Sequence, residues 1–159
     1  MAFKLIASDL DGTLLNDQCV ISPRTKEAIH RAQAQGIIFT FATGRMYRSA
    51  LPFALDLEID VPLITYEGAL IKTSKTKEVL YYRPLPGEIA KEIVAIGEDH
   101  NLNINVYLDD ELYIHRVTKE IIDYCRLVQV PFNKVEDWSI LEREPAKVLF
   151  MGEAEKLDY

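Results

Sequence analysis

Apolar residues open this chain in short unbroken runs. Phe3 to Ser8 (FKLIAS) is mostly apolar and leads into an acidic loop, a pattern that predicts a buried parallel strand. Ser22-Pro23 supplies an N-cap followed by proline at the first helical position. From Arg24 to Gln35 the chain is rich in helix formers, with Ala28, Ile29 and Ala32 on one side, and Gly36 ends the run. Ile37 to Ala42 (IIFTFA) is β-branched and aromatic and predicts a second strand, completing a β-α-β unit with a right-handed crossover. A further helix is expected over Met46 to Leu57, where Pro52 must start, kink or interrupt it. Pro62 precedes a third strand, Leu63 to Tyr66. The order β-α-β-α-β predicts a doubly wound α/β core with its site at the C-terminal ends of the strands.

After Ala69 the pattern changes. Leu70 to Lys72 and Val79 to Arg83 flank a polar SKTK turn, which predicts a hairpin. Pro84-Leu85-Pro86-Gly87 reads as a linker, and Glu88 to His100 as an amphipathic helix. Strands are expected at Ile104–Leu108 and Leu112–Arg116, around Asp109-Asp110-Glu111, which reads as a solvated hairpin turn. A helix over Lys119 to Val128, an irregular stretch to Pro145 and a strand over Lys147 to Met151 follow. This half is α+β, so the expected domains are 1–82 and 83–159. There is no internal repeat and no low-complexity segment.

With 159 residues, 48% of them hydrophobic, the chain is long enough for one ordinary domain or two small ones. A net charge of -7, with basic residues scattered singly, argues against nucleic acid as a partner. No apolar run approaches the ~20 residues that span a bilayer, and Met1-Ala2-Phe3-Lys4 lacks the layout of a secretory signal. Cys19 and Cys125 belong to no metal or redox spacing, so two free thiols in a reducing cytoplasm are expected. His30, His100 and His115 are dispersed, and a zinc site is not expected.

The chemistry concentrates in Asp9-Leu10-Asp11-Gly12-Thr13-Leu14, just past the first strand. Two carboxylates at i and i+2 can divide work on one substrate. One attacks, forming an acyl-phosphate that splits hydrolysis into two easier steps. The other protonates the leaving oxygen and later deprotonates water. Gly12 lets the backbone turn away and exposes amides to a phosphate. The two acids repel unless a cation lies between them, which calls for a hard ion such as Mg²⁺.

These residues resemble the first motif of the haloacid dehalogenase superfamily, DxDGT[LV] after the first core strand. The resemblance implies that Asp9 is the nucleophile and a Mg²⁺ ligand, and that Asp11 is the general acid/base with its main-chain carbonyl as a second ligand. The superfamily's second motif is a Ser or Thr ending the next core strand, and Thr43 in FATGR fits it. Its hydroxyl would donate to a phosphoryl oxygen beside the Gly44 amide, and Arg45 would add charge or hold the loop. A plain helix N-cap is the other reading of Thr43. Ile64-Thr65-Tyr66-Glu67-Gly68-Ala69 is similar to the ITxNGA segment of the Cof-type subfamily, with Glu67 where asparagine is usual. Glu67 is then either a supporting acid near the phosphate or an exposed turn residue.

The resemblance implies a partial Rossmann-like core with a parallel sheet plus an α+β cap domain, truncated relative to the family. The implied function is Mg²⁺-dependent hydrolysis of small phosphomonoesters, with a small phosphorylated metabolite as partner. The family's later lysine and GDxxND loop have no counterpart; Lys147 and Lys156 both lie within the expected cap. Little or no activity of this chain alone is therefore expected, along with self-association through an unpaired sheet edge. The alternatives are a phosphomutase of the same superfamily and a non-catalytic phosphate- or partner-binding fragment. A two-component receiver domain fits poorly, because its acceptor aspartate would follow the third strand, where Glu67-Gly68 stands.

Overall fold

The computed structural model describes residues 3–157, the side chain of Lys156 excepted. The expectations resting on Met1-Ala2, on the Lys156 side chain and on Asp158-Tyr159 lie outside the described residues. The chain divides into two compact units, Met1–Tyr82 and Arg83–Tyr159.

In the first unit, β1 (Leu5–Ser8) pairs in parallel with β2 (Ile38–Phe41), Ser8 opposite Phe41. The connecting helix α1 (Pro23–Ala34) begins where predicted, with the Ser22 side chain accepting from the Thr25 amide. Helix α2 (Tyr47–Asp56) follows β2, and Lys26 of α1 forms an ion pair with Asp56 of α2 at 2.6 Å. Pro52 lies inside α2 without breaking it. Position 52 and its i−4 partner, Arg48, are both exposed.

Strand β3 (Pro62–Thr65) joins β2 through a single parallel bridge between Ala42 and Ile64. It then pairs antiparallel with β4 (Leu70–Thr73), which pairs with β5 (Val79–Tyr82) in the predicted hairpin. The Tyr47 hydroxyl donates to the Thr73 carbonyl at 2.8 Å and Lys72 sits over the Tyr47 ring, so α2 is held against β4. One expectation is corrected. β1 is parallel but not buried: Leu5 and Ile6 are 55% and 39% exposed, and Phe3 before it 84%. Among the described residues β1 has a partner on one edge only, so its apolar side chains meet solvent.

The second unit is a four-stranded sheet in the order β8-β7-β6-β9, built from β6 (Asn103–Leu108), β7 (Glu111–Ile114), β8 (Phe132–Lys134) and β9 (Lys147–Met151). The β6–β7 turn is Asp109-Asp110, both with positive φ, as a two-residue hairpin requires. Asp109 also pairs with Arg143. Helix α3 (Gly87–Asp99) packs Ala90 and Val94 on Ile104, Val106 and Leu141, while α4 (Lys119–Val128) lies on the opposite face, where Tyr124 bonds Tyr107. The stretch read as irregular holds β8 and a short helical turn, Ser139–Glu142. A short helix α5 (Ala154–Leu157) follows β9. Both cysteines are free thiols, and among the described residues no helix is long and apolar enough to cross a membrane.

Gly97 sets how closely α3 approaches the sheet. A Cβ there would lie 2.6 Å from the Phe150 ring and 2.9 Å from Ile104. Gly97→Ala should therefore destabilise the second unit by about 1 kcal/mol or more in urea unfolding, despite alanine's better helix propensity. A more stable variant would show that the contact opens without cost.

Candidate active site

The paired carboxylates sit on a tight turn at the C-terminal end of β1. Leu15 donates its amide to the Leu10 carbonyl at 2.9 Å, closing a loop over Leu10–Leu14. Within it Asp11 is extended (φ -74°, ψ 127°) and Gly12 has φ 70°, a left-handed conformation that glycine adopts without strain. Leu10 is fully buried and anchors the turn, which leaves Asp9 and Asp11 exposed on either side of it. The Asp9 carboxylate accepts from the Leu10 amide at 2.7 Å, a bond that fixes its side chain beside its own backbone.

The second loop starts at the end of the neighbouring strand. Because Ser8 faces Phe41 and the Ala42 amide donates to the Ser8 carbonyl, Asp9 and Thr43 leave adjacent parallel strands at the same end of the sheet. Thr43 is buried; its amide donates to the Ile64 carbonyl at 3.0 Å, and its hydroxyl oxygen accepts from the Arg45 amide at 3.2 Å. Thr43 thus braces the Thr43–Arg45 turn. The N-cap of α2 is Met46, which offers no side-chain bond, so the reading of Thr43 as the helix N-cap is corrected.

Arg45 joins the two loops. Its Nε donates to Asp11 Oδ2 and its Nη2 to Asp11 Oδ1, both at 2.7 Å, a fork-on-carboxylate arrangement between residues 34 apart. Nη1 donates to Ser49 Oγ at 3.1 Å, one helical turn along α2, and the guanidinium lies over the Phe53 ring. The Arg45 side chain is 6% exposed and that of Asp11 55%. The hydrogen bonds from Arg45 hold the Asp11 carboxyl below the usual carboxylate range, with burial opposing them. The same bonds raise the Arg45 guanidinium, with a smaller push from the Cys19 thiol. Ser49, Phe53 and Cys19 did not stand out in the sequence. The i, i+4 spacing of Arg45 and Ser49 was the one available signal.

Glu67 lies in a turn tied to this loop: the Glu67 amide donates to the Thr43 carbonyl at 3.2 Å and the Tyr66 amide to the Arg45 carbonyl at 3.0 Å. A Cβ at Gly44 would meet Glu67 Oε1 at 2.7 Å, so the carboxylate rests on the bare face of that glycine. A hard divalent cation would find Asp9's carboxylate and Asp11's main-chain carbonyl here. Among the described residues, however, no three His, Cys, Asp or Glu side chains gather as a metal set, and both Asp11 carboxylate oxygens already accept from Arg45. The donor set for Mg²⁺ is therefore partial.

The fork should matter to stability in a particular way. Asp11→Ala removes both acceptors of the Arg45 fork, leaving the guanidinium with Ser49, the Phe53 ring and Cys19, and should cost roughly 1–3 kcal/mol. The double change Asp11→Ala with Arg45→Met should recover part of that loss in urea titrations. Because the folded carboxyl is lowered, the pair's contribution is complete above the unfolded value of about 3.9. It is lost as pH falls through the folded value. A double variant no better than the single one would show that the guanidinium does not depend on Asp11.

A family profile described as haloacid dehalogenase-like hydrolase matches residues 6–159. The chain is 34% identical over 121 residues to the 5-amino-6-(5-phospho-D-ribitylamino)uracil phosphatase of Bacillus subtilis, covering 75% of this chain and 45% of that protein. It is 31% identical over 122 residues to the pyridoxal phosphate phosphatase of Escherichia coli, covering 77% and 45%. The chain thus spans about half the length of these relatives. Among solved structures, a haloacid dehalogenase-like hydrolase from Bacteroides thetaiotaomicron superposes with a TM-score of 0.87 at 30% identity, covering 98% of this chain and 60% of that one. With both loops at the C-terminal ends of neighbouring parallel strands and the chain matched by the family profile from residue 6 to residue 159, the chain belongs to the haloacid dehalogenase-like hydrolases, in the Cof-type group that its TGR and ITYEGA segments resemble.

Proposed function

We propose that this chain carries the nucleophile and phosphate-binding loops of a hydrolase of small phosphomonoesters. The observation that carries this reading is the placement of the Asp9–Asp11 turn and the Thr43–Arg45 turn at the ends of paired strands, joined by the Arg45 fork. The names of the two phosphatases above support the substrate class. In the first step an Asp9 carboxylate oxygen attacks phosphorus, the bond to the ester oxygen breaks, and a protonated Asp11 gives that oxygen its proton. In the second step water attacks the phospho-aspartate, its proton passes to Asp11, and Asp9 leaves as the free carboxylate. The Thr43 hydroxyl donates to a phosphoryl oxygen. Mg²⁺, held by the Asp9 carboxylate and the Asp11 carbonyl, would offset negative charge at the phosphoryl group. The remaining donors are not supplied by the described residues. A reducing cytoplasm suits the two free thiols.

The fork also favours a second reading, binding without turnover. Asp11 is held ionised with both oxygens engaged, so it has no proton for a leaving group until Arg45 lets go. The partial metal set points the same way.

Release of phosphate from a generic phosphomonoester with Mg²⁺ present separates the two. The 159-residue chain should show little or none, and whatever it shows should vanish in Asp9→Asn. Release that survives Asp9→Asn would remove Asp9 as the nucleophile; strong release lost in that variant would retire the binding-only reading.

We further propose that the edge of β1 that has no strand partner among the described residues draws a second copy, since Phe3, Leu5 and Ile6 are exposed. Sedimentation should show concentration-dependent association that Ile6→Lys weakens. A monomer at every concentration would end this idea.

A further inference from the structure

We propose that Ser49 is a positioning residue for Asp11, acting through Arg45: its hydroxyl fixes the guanidinium so that the fork faces the Asp11 loop. The inference rests on the reading of Asp11 as the proton carrier of the site, since only then does its placement bear on the chemistry.

The fork joins two unequal partners. The Arg45 side chain is 6% exposed and that of Asp11 55%. Asp11 stands on a surface turn beside Gly12, whereas Arg45 is enclosed by packed neighbours. In such a pair the enclosed partner sets the geometry and the exposed one follows, because close packing limits movement and solvent does not. Where the Asp11 carboxylate points is therefore decided by what holds Arg45.

A guanidinium is a rigid plane with donors at fixed angles. Nε and Nη2 share one edge, and both donate to Asp11 at 2.7 Å. Those two bonds fix Arg45 relative to Asp11 but fix neither relative to the rest of the unit. Two contacts from α2 do that. The Phe53 ring, its centroid 5.3 Å from the Arg45 Cζ, sets the plane. Ser49 Oγ accepts from Nη1 at 3.1 Å and sets the rotation within the plane. The Cys19 thiol adds a weaker interaction. Ser49 is itself firmly placed: it is buried in the first turn of α2, and its amide donates to the Met46 carbonyl at 3.1 Å. Positions 45, 49 and 53 follow one another at one-turn spacing, so all three act along one face. An apolar side chain at 49 would take away the acceptor of a buried charged donor.

The Arg45 Nε–H group reports the fork directly, because its proton exchanges with water when the bond to Asp11 opens. Its exchange rate is read by ¹⁵N-edited NMR on the 159-residue chain, with the signal assigned through the Arg45 backbone, in wild type, Asp11→Ala, Ser49→Ala and Ser49→Thr. Alanine is smaller than serine and a strong helix former, so Ser49→Ala keeps α2, and a thermal melt checks each fold. Wild type should be protected and Asp11→Ala should not. Ser49→Ala should exchange roughly tenfold faster than wild type, the opening expected when one hydrogen bond to a charged group is lost. Ser49→Thr, which keeps the hydroxyl, should stay close to wild type. A serine with a merely structural part in α2 would leave this rate unmoved. If folded Ser49→Ala is as protected as wild type, or Ser49→Thr exchanges as fast as Ser49→Ala, the positioning role is overturned. A folded wild type without protection overturns it too. Phosphate release, measured as above, tests the role given to Asp11, and the Arg45 signal tests the part given to Ser49, so the two can fail separately.

Discussion

A guanidinium that is almost wholly buried must find acceptors, and the first unit is organised around meeting that demand. Arg45 leaves β2 through a turn braced by Thr43 and reaches back to the Asp11 loop after β1, with Ser49 and the Phe53 ring completing its surroundings. Break the fork, and the guanidinium loses both acceptors on Asp11. Because the two strands are paired in register, this one interaction also holds the Asp9–Asp11 and Thr43–Arg45 loops at a common end of the sheet. The site's shape and its electrostatics thus have the same origin.

That origin has a chemical consequence. A carboxylate clamped in two charge-assisted hydrogen bonds is kept ionised, whereas a general acid must carry a proton. Arg45 therefore organises the Asp11 loop and, in the proposed mechanism, is the residue that would have to yield before Asp11 donates. Glu67 rests a further carboxylate against Gly44 of the Thr43–Arg45 turn. The described residues provide only part of a divalent cation's ligand set.

The first unit also shows an open boundary at β1. A parallel strand paired on one edge, with leucine and isoleucine in solvent, is the opposite of the burial that parallel sheets require. The second unit contrasts with it. Its sheet has a helix on each face, and Val106, Leu112, Ile114 and Ile121 are fully enclosed.

Local pattern by itself determined most elements, because helices and hairpins are governed by contacts a few residues apart. The Ser22-Pro23 start of α1, the β4–β5 hairpin and the whole of α4 from Lys119 to Val128 follow from capping, turn and periodicity signals. The Asp9–Leu14 motif and Thr43 were legible for the same reason: each sits where a strand ends. What tertiary structure alone decided depends on residues brought together from afar. An apolar run predicts burial but not whether a neighbour exists to bury it, and β1 has one on a single edge. Proline at position 52 predicts a start, kink or interruption, yet it lies inside α2 at an exposed position. Arg45 reads as a loop cation until Asp11, 34 residues earlier, takes its fork. Glu67 reads as either a turn residue or a supporting acid until the left-handed backbone at Tyr66–Gly68 lays its carboxylate on Gly44.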